Sequence, residues 1–113
     1  MNGVLSLGLR EGESFYVLAD DKPSKRDTRF VIESIHGPTK FELKKMGNPI
    51  QVMVISDRRS VEIVNNVRVS SGVGGVDRSG DMIAKVAIQA PKRIRILRHV
   101  LREKEIREFG ESE

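Results

Sequence analysis

Short runs of valine, isoleucine and phenylalanine recur along almost the whole chain, separated by glycine, proline, aspartate and serine. Apolar and polar residues that alternate over roughly four to eight positions are typical of a strand with one buried face. This pattern predicts strands near residues 4–9, 15–19, 29–34, 40–45, 50–56, 61–69, 82–89 and 94–98. The 113 residues suffice for one domain, so residues 1–113 are expected to form a single small antiparallel all-β fold.

The segments between the predicted strands carry the composition of turns and loops. Residues 20–27 are polar and broken by a proline, and residues 36–39 (HGPT) predict a tight turn, so together they suggest an additional hairpin. Residues 70–81 contain four glycines and predict a mobile loop. This loop lacks the Gly-Lys-Ser/Thr ending of a phosphate-binding loop and does not lead into a helix, so it is not expected to bind phosphate.

The chain changes character after Arg98. Residues 99–109 are rich in helix formers, Glu103 and Arg107 have the i, i+4 spacing of a helical ion pair, and Gly110 is a plausible stop. The expected fold class is therefore all-β with a short C-terminal helix.

Catalytic and metal-binding chemistry find little support in the sequence. The absence of cysteine excludes disulfides, thiolate catalysis and cysteine-based zinc sites. His36 and His99 have no partner at a recognisable motif spacing, and Glu11 and Glu13 flank a glycine turn. The aspartates at 20, 21, 77 and 81 match no calcium-loop pattern. We expect no enzyme activity, no metal site and no cofactor.

The sequence contains no stretch of roughly 18 apolar residues and no leader of a basic segment followed by an apolar one. A cytoplasmic protein without a membrane segment is expected.

The net charge of +4 is concentrated in one segment. Residues 84–102 include no Asp or Glu but contain Lys85, Lys92, Arg93, Arg95, Arg98 and Arg102. A basic segment without acidic residues favours a polyanionic partner such as nucleic acid. Within it, QAPKRIRILR (89–98) predicts a strand ending at the proline and then a second strand, in which Ile94 and Ile96 face one way and Arg93 and Arg95 the other.

Both ends of the chain resemble the carbon storage regulator family (CsrA/RsmA) of bacterial RNA-binding proteins. LSLGLREGE (5–13) is similar to the family's first strand and turn, L-x-L-[ST]-R-[RK]-x-G-E. AKVAIQAPK (84–92) is similar to V-R-[LI]-G-[IV]-x-A-P-[KR], and IRILR (94–98) to V-x-V-[HY]-R. Shorter matches, VISD (54–57) and VEI (61–63), resemble the family's I-G-D and V-x-I. Leu9 and Leu97 stand where the family usually has arginine and His or Tyr.

The resemblance implies an intertwined, strand-swapped homodimer, in which the first and last strands of one chain pair with the middle strands of the other. The RNA sites would then be two symmetric edges where residues 7–10 of one subunit lie beside residues 94–98 of the other. Members bind GGA elements in single-stranded loops of messenger RNA leaders and control translation, and decoy small RNAs compete for the same sites. The predicted RNA-binding residues are Leu7, Arg10, Ala90, Pro91, Lys92, Arg93, Arg95, Ile96 and Arg98.

Residues 18–49 have no counterpart in the short members of the family and are interpreted as an inserted loop and β-hairpin. The segment could widen the RNA footprint, add strands, bind a protein partner or only pack. A second functional hypothesis is a CsrA-like scaffold that has lost GGA recognition and acts through protein contacts.

Overall fold

A computed structural model describes residues 2–113, which form antiparallel sheets and one short C-terminal helix. In chain order the elements are β1 (Asn2–Leu9), β2 (Ser14–Val17), β3 (Thr28–Gly37), β4 (Lys40–Lys45), β5 (Gln51–Ser56), β6 (Val61–Val64), β7 (Val67–Ser71), β8 (Gly75–Val76), β9 (Met82–Pro91), β10 (Ile96–Arg98) and α1 (His99–Phe109). The first sheet has the order β1-β9-β7-β6, with β8 also paired to β9. The second sheet has the order β10-β2-β3-β4-β5. The coarse prediction of an antiparallel β fold with a C-terminal helix is confirmed.

Short connections carry the chain from one sheet to the other. Between β1 and β2, the backbone amide of Arg10 donates to Glu13 Oε1 over 2.7 Å, and Gly12 has a φ of 85°. Glycine reaches this left-handed conformation without steric cost, so the turn reverses the chain within a few residues. A second short connection takes the chain from β9 to β10. The strand β1 lies at one edge of the first sheet, and β10 lies at one edge of the second sheet.

A single apolar core draws residues from both sheets. Phe15, Phe30 and Phe41 come from the second sheet and are at most 1% exposed, and the rings of Phe15 and Phe30 stack with centroids 5.2 Å apart. Val69 and Val86 of the first sheet are fully buried in the same cluster. Burying a large apolar side chain contributes about 1.5 to 3 kcal/mol, so these contacts dominate the stability of the fold.

The helix α1 ends where the sequence predicts. Gly110 follows it with a φ of 82°, and its amide donates to the carbonyl of Ile106 over 2.7 Å. The predicted partners Glu103 and Arg107 form no ion pair with each other within residues 2–113. No helix in the described part of the chain is long and apolar enough to cross a membrane.

Three predicted elements differ from the structure. The single strand predicted over 61–69 is wrong, because a turn at Asn65 and Asn66 divides it into β6 and β7. Asn66 has a φ of 65°, a conformation that asparagine tolerates better than most residues. The strand predicted over 94–98 begins only at Ile96, because residues 92–94 form a turn closed by the amide of Ile94 on the Pro91 carbonyl, 3.0 Å apart.

The third difference lies in the glycine-rich segment 70–81, which contains the short strand β8 instead of being loop throughout. A Cβ at Gly74 would lie 2.1 Å from the backbone oxygen of Ile83 in β9, so only glycine permits this approach. The amide of Gly74 also donates to the Pro38 carbonyl over 2.7 Å. The pairing of β8 holds the segment against β9, and the bond to Pro38 joins it to the turn between β3 and β4.

The segment 18–49 contains the β3–β4 hairpin, which forms the middle of the second sheet. Its status as an insertion stays a prediction. In the single chain, β1 pairs with β9 and β10 pairs with β2. The homodimer also stays a prediction.

Candidate functional site

Two sheet edges lie side by side, those of β1 and β10. Among the described residues, the strand β1 pairs only with β9 and the strand β10 only with β2, so each presents one side without a strand partner. Arg98, the last residue of β10, spans the two sheets, because its Nη1 donates to the carbonyl of Gly8 in β1 over 3.3 Å. The arrangement exposes main-chain donors and acceptors beside a guanidinium group.

A shallow cleft of about 160 Å³ lies beside β1 and β10. Its lining comes from the start of β1, the end of β9, the following turn and β10: Val4, Leu5, Ile88, Ala90, Pro91, Lys92, Ile94 and Ile96. Four of the predicted RNA-binding residues therefore lie together, namely Ala90, Pro91, Lys92 and Ile96. The cleft has an apolar floor and the cationic Lys92 at its rim. We name the surface formed by β1, β10, Arg98 and this cleft the double edge.

Arg98 lines a second cleft, of about 240 Å³. Arg29 of β3 faces the same cleft and is oriented by its Nε, which donates to Ser14 Oγ over 3.2 Å. Glu13 is the acidic residue in the lining. The Nδ1 atom of His99, another lining residue, is buried and has no hydrogen-bond partner among the described residues. Two arginines at one cleft make a suitable environment for a phosphate group.

The predicted cations differ in how far they are free to bind a ligand. Lys92 and Arg93 are exposed, and neither forms an ion pair or a side-chain hydrogen bond within the described residues. Arg95 instead binds Glu105 through two contacts of 2.7 and 3.1 Å and the Asp21 carbonyl at 2.8 Å. The hydrogen bond to Glu105 raises the pKa of Arg95. Arg95 therefore joins the helix to the sheet, while Lys92 and Arg93 present their charges to solvent.

Arg10 is held by an acidic residue of the glycine-rich segment. Its Nε donates to Asp77 Oδ2 over 2.6 Å, and this bond raises the pKa of Arg10. Burial pushes the pKa of Asp77 upward, but hydrogen bonds from the amides of Asp81 and Ser79 and from Arg10 lower it below its ordinary value. The ion pair with Asp77 occupies Nε of Arg10 and competes with a phosphate for the guanidinium charge.

Two leucines of β1, Leu7 and Leu9, face inward, whereas Leu5 is exposed. Leu7 and Leu9 are 7% and 2% exposed, so only the backbone of Leu7 can reach a ligand at the double edge. Leu9 occupies a core position at the point where the resembled family usually has arginine. Arg98 thus has no neighbouring guanidinium from β1 at that position.

Sequence reasoning missed Val4, Leu5, Ile88 and Ile94, which complete the lining of the cleft. Val4 is 68% exposed and Leu5 40% exposed. Since successive side chains of a strand point to opposite faces, two consecutive apolar residues cannot both face one core. The consecutive apolar residues Val4 and Leu5 were therefore a sequence signal for an apolar surface outside the core. Arg29 lies far from the 84–102 segment in sequence; it belongs to a basic patch of the 18–49 segment, which the sequence suggested could widen the RNA footprint but did not place at this site.

Two of the residues considered for catalysis, His36 and Glu11, have structural hydrogen-bond partners. His36 Nε2 bonds to Glu42 and to Ser34 Oγ, and its bond to Glu42 lowers the pKa of that carboxyl group. Glu11 accepts the amide of Ile35 over 2.8 Å. Within residues 2–113 no group of three or more His, Asp or Glu side chains is arranged to hold a metal ion.

Comparisons with known proteins find no match among protein-family models, curated proteins or solved structures.

Proposed function

We propose that the chain is an RNA-binding post-transcriptional regulator that recognises GGA elements in single-stranded loops of bacterial messenger RNA leaders. It acts in the cytoplasm, catalyses no reaction, and controls translation by occupying the leader, where decoy small RNAs compete for it. The observation that carries the proposal is the double edge, where two free strand edges lie together with Arg98 across them.

The chemistry of the double edge suits unpaired nucleotides. Bases in a loop expose their hydrogen-bonding edges, and the unpaired amides and carbonyls of β1 and β10 offer directional donors and acceptors to them. The apolar floor that includes Val4 and Leu5 offers a surface for a base plane. Lys92 and Arg93 lie at the turn beside it and supply cations for phosphates, which set affinity more than sequence preference.

Arg98 is placed to bind RNA at low cost. It is exposed and makes one long side-chain bond of 3.3 Å, so most of its five N–H donors are free for a base or phosphate. The acid-free composition of residues 84–102 keeps carboxylates of that segment away from the RNA. A charge-assisted hydrogen bond contributes about 1.5 to 3 kcal/mol.

The test is equilibrium binding of a GGA-loop hairpin RNA to the wild-type chain and to Arg98→Ala. We expect Arg98→Ala to weaken binding roughly tenfold to a hundredfold, which corresponds to about 1.5 to 3 kcal/mol. Arg107→Ala is the matched control, because Arg107 is an exposed arginine of the nearby helix and carries the same charge. Equal losses in the two variants contradict the proposed role of Arg98.

A second candidate function is a scaffold that acts through protein contacts. Val52 and Val54 on β5 are 53% and 54% exposed and lie at the outer edge of the second sheet. Exposed apolar side chains on an edge strand favour association with another protein. A scaffold binds its partner equally well with Arg98→Ala, whereas a regulator loses its RNA.

A further inference from the structure

The two sheets repeat one arrangement of strands. Four consecutive strands, β1 to β4, form a first set, and β5, β6, β7 and β9 form a second set in the same order along the chain. The second sheet contains β2, β3 and β4 of the first set, and β5 of the second set pairs with β4. The first sheet contains β6, β7 and β9 of the second set, and β1 of the first set pairs with β9. The first strand of each set therefore pairs in the sheet formed by the other set, which is a strand exchange.

The registers of the two exchanged strands agree residue by residue. Leu7 and Leu9 of β1 lie opposite Val86 and Ala84 of β9. The corresponding residues of β5 lie opposite β4 in the same sense: Met53 is opposite Leu43 and Ile55 opposite Phe41. The match continues from the first strand into the second at one constant spacing along the chain, since Leu9, Ser14 and Val17 correspond to Ile55, Ser60 and Ile63.

The repeat also gives residues 28–45 a counterpart. Phe15 of β2 pairs with Phe30 of β3, and the equivalent pair in the second set is Val61 of β6 with Val69 of β7. The β3–β4 hairpin thus corresponds to β7 and β9. It forms the body of the second sheet, as β7 and β9 form that of the first.

Among the described strands, β10 has no counterpart in the other set, and neither does the two-residue β8. The first set ends at β4, and residues 46–50 lead directly into β5. Beyond β6, where a strand equivalent to β10 would pair, the sheet ends. A carbonyl of β6 is bonded instead by a lysine, because Lys45 Nζ donates to the oxygen of Ile63 over 2.9 Å. The first sheet therefore lacks, beside β6, an equivalent of the strand that contains Arg98 and pairs with β2 in the second sheet.

Within a single chain, both exchanged strands are already packed into the apolar core. Leu9 of β1 and Ile55 of β5, one from each exchanged strand, are at most 2% exposed. Both belong to the same cluster as the phenylalanines of the second sheet. Exchange of β1 and β10 with another chain would recreate these contacts without adding buried surface, and joining two chains costs translational and rotational freedom.

We propose that one chain is a complete strand-exchanged unit of two repeats, and that it contains a single double edge built from its own β1 and β10. This takes the place of the two-site homodimer that the resemblance implies. The part concerning RNA rests on the proposed function: one chain binds one RNA loop, and the β5–β6 side binds none.

The test of the strand exchange needs no RNA. Ser6 of β1 lies opposite Ala87 of β9, and opposite residues of antiparallel strands have a Cα separation that a disulfide can bridge. The chain has no native cysteine, so Ser6→Cys combined with Ala87→Cys introduces one defined pair. On oxidation we expect a disulfide within one chain, which keeps the mass at 12.7 kDa under non-reducing conditions. Ser6→Cys alone is the control for adventitious cross-linking.

A covalent dimer formed by the double variant but not by Ser6→Cys alone would overturn the proposal, because β1 would then pair with β9 of another chain. Native mass spectrometry with a hairpin RNA tests the number of sites on the same protein. One chain with one RNA supports a single double edge, and two RNAs on one chain or on a dimer overturn it. If the disulfide closes within one chain and no RNA binds, the proposed function fails while the single-chain exchange stands.

Discussion

Arg102 joins the helix, the loop before β3 and the C-terminal residues. Its side chain is 7% exposed, and Nε donates to Asp27 Oδ2 over 3.0 Å. Its Nη2 donates to Glu111 and to the Ser24 carbonyl, each at 2.8 Å, and its guanidinium lies 4.1 Å from the centre of the Tyr16 ring. Burial alone lowers the pKa of Arg102, but the bonds to Asp27 and Glu111 outweigh it and raise the pKa. We predict that Arg102→Ala destabilises the fold more than other arginine substitutions.

The magnitude follows from what the substitution leaves behind. The Asp27 side chain is fully buried, and removing one partner of a buried ion pair costs about 3 to 5 kcal/mol. Amides of Ala19 and Ser24 still donate to the Asp27 carboxylate, at 3.0 and 2.9 Å, so the lower end of that range is expected. A loss of about 3 kcal/mol with an m-value of about 1.5 kcal/mol/M lowers the urea midpoint by about 2 M.

Urea unfolding of the wild type, Arg102→Ala and Arg107→Ala measures this difference. Arg107 is exposed on the same helix, and its substitution should change stability by less than about 0.5 kcal/mol. Adding Asp27→Asn to Arg102→Ala should recover part of the loss, because the uncompensated buried charge disappears. Equal midpoints for Arg102→Ala and Arg107→Ala would refute the role assigned to the Arg102 cluster.

Two further substitutions probe the glycine-rich segment. Gly74→Ala should destabilise the fold by about 1 to 3 kcal/mol, since the new Cβ meets the Ile83 carbonyl, while Gly75→Ala, with nothing within 4 Å, should be nearly neutral; equal unfolding midpoints would contradict the packing argument. Asp77→Asn keeps an oxygen for the loop amides but releases Arg10 from its ion pair, so binding of a GGA-loop RNA should tighten severalfold at low salt. Unchanged RNA affinity would show that Arg10 does not contact the RNA.

The sequence predicts the strands well where one face is buried and the other exposed. The strand β4 lies within the predicted bounds, and α1 ends at Gly110 as expected. The boundary between β6 and β7 was missed because Asn65 and Asn66 interrupt a run that stays apolar on both sides, and the turn depends on the left-handed conformation of Asn66. Two consecutive asparagines between apolar runs are themselves a turn signal, which the prediction of one continuous strand did not use.

Which strands are neighbours was harder to predict than which residues form strands. Alternation shows that Leu7, Leu9, Met53 and Ile55 face a core, but it does not indicate that β1 and β5 have exchanged sheets. That follows only from long-range pairing, which depends on the whole set of core contacts. Likewise, the composition of the basic segment predicts the same RNA-binding role for Arg95 and Arg98. In the structure Arg95 is paired with Glu105, whereas Arg98 is exposed.

The central claim is recognition of a specific RNA element at the double edge. Its most direct test is the equilibrium affinity of the wild-type chain for a GGA-loop hairpin and for a scrambled-loop hairpin of the same composition, measured across a salt series. We expect at least roughly tenfold tighter binding to the GGA loop, about 1.4 kcal/mol, and a preference that persists as salt weakens both complexes. Equal affinities that fall together with salt would contradict the claim, because they would indicate only charge attraction between the basic segment and phosphates.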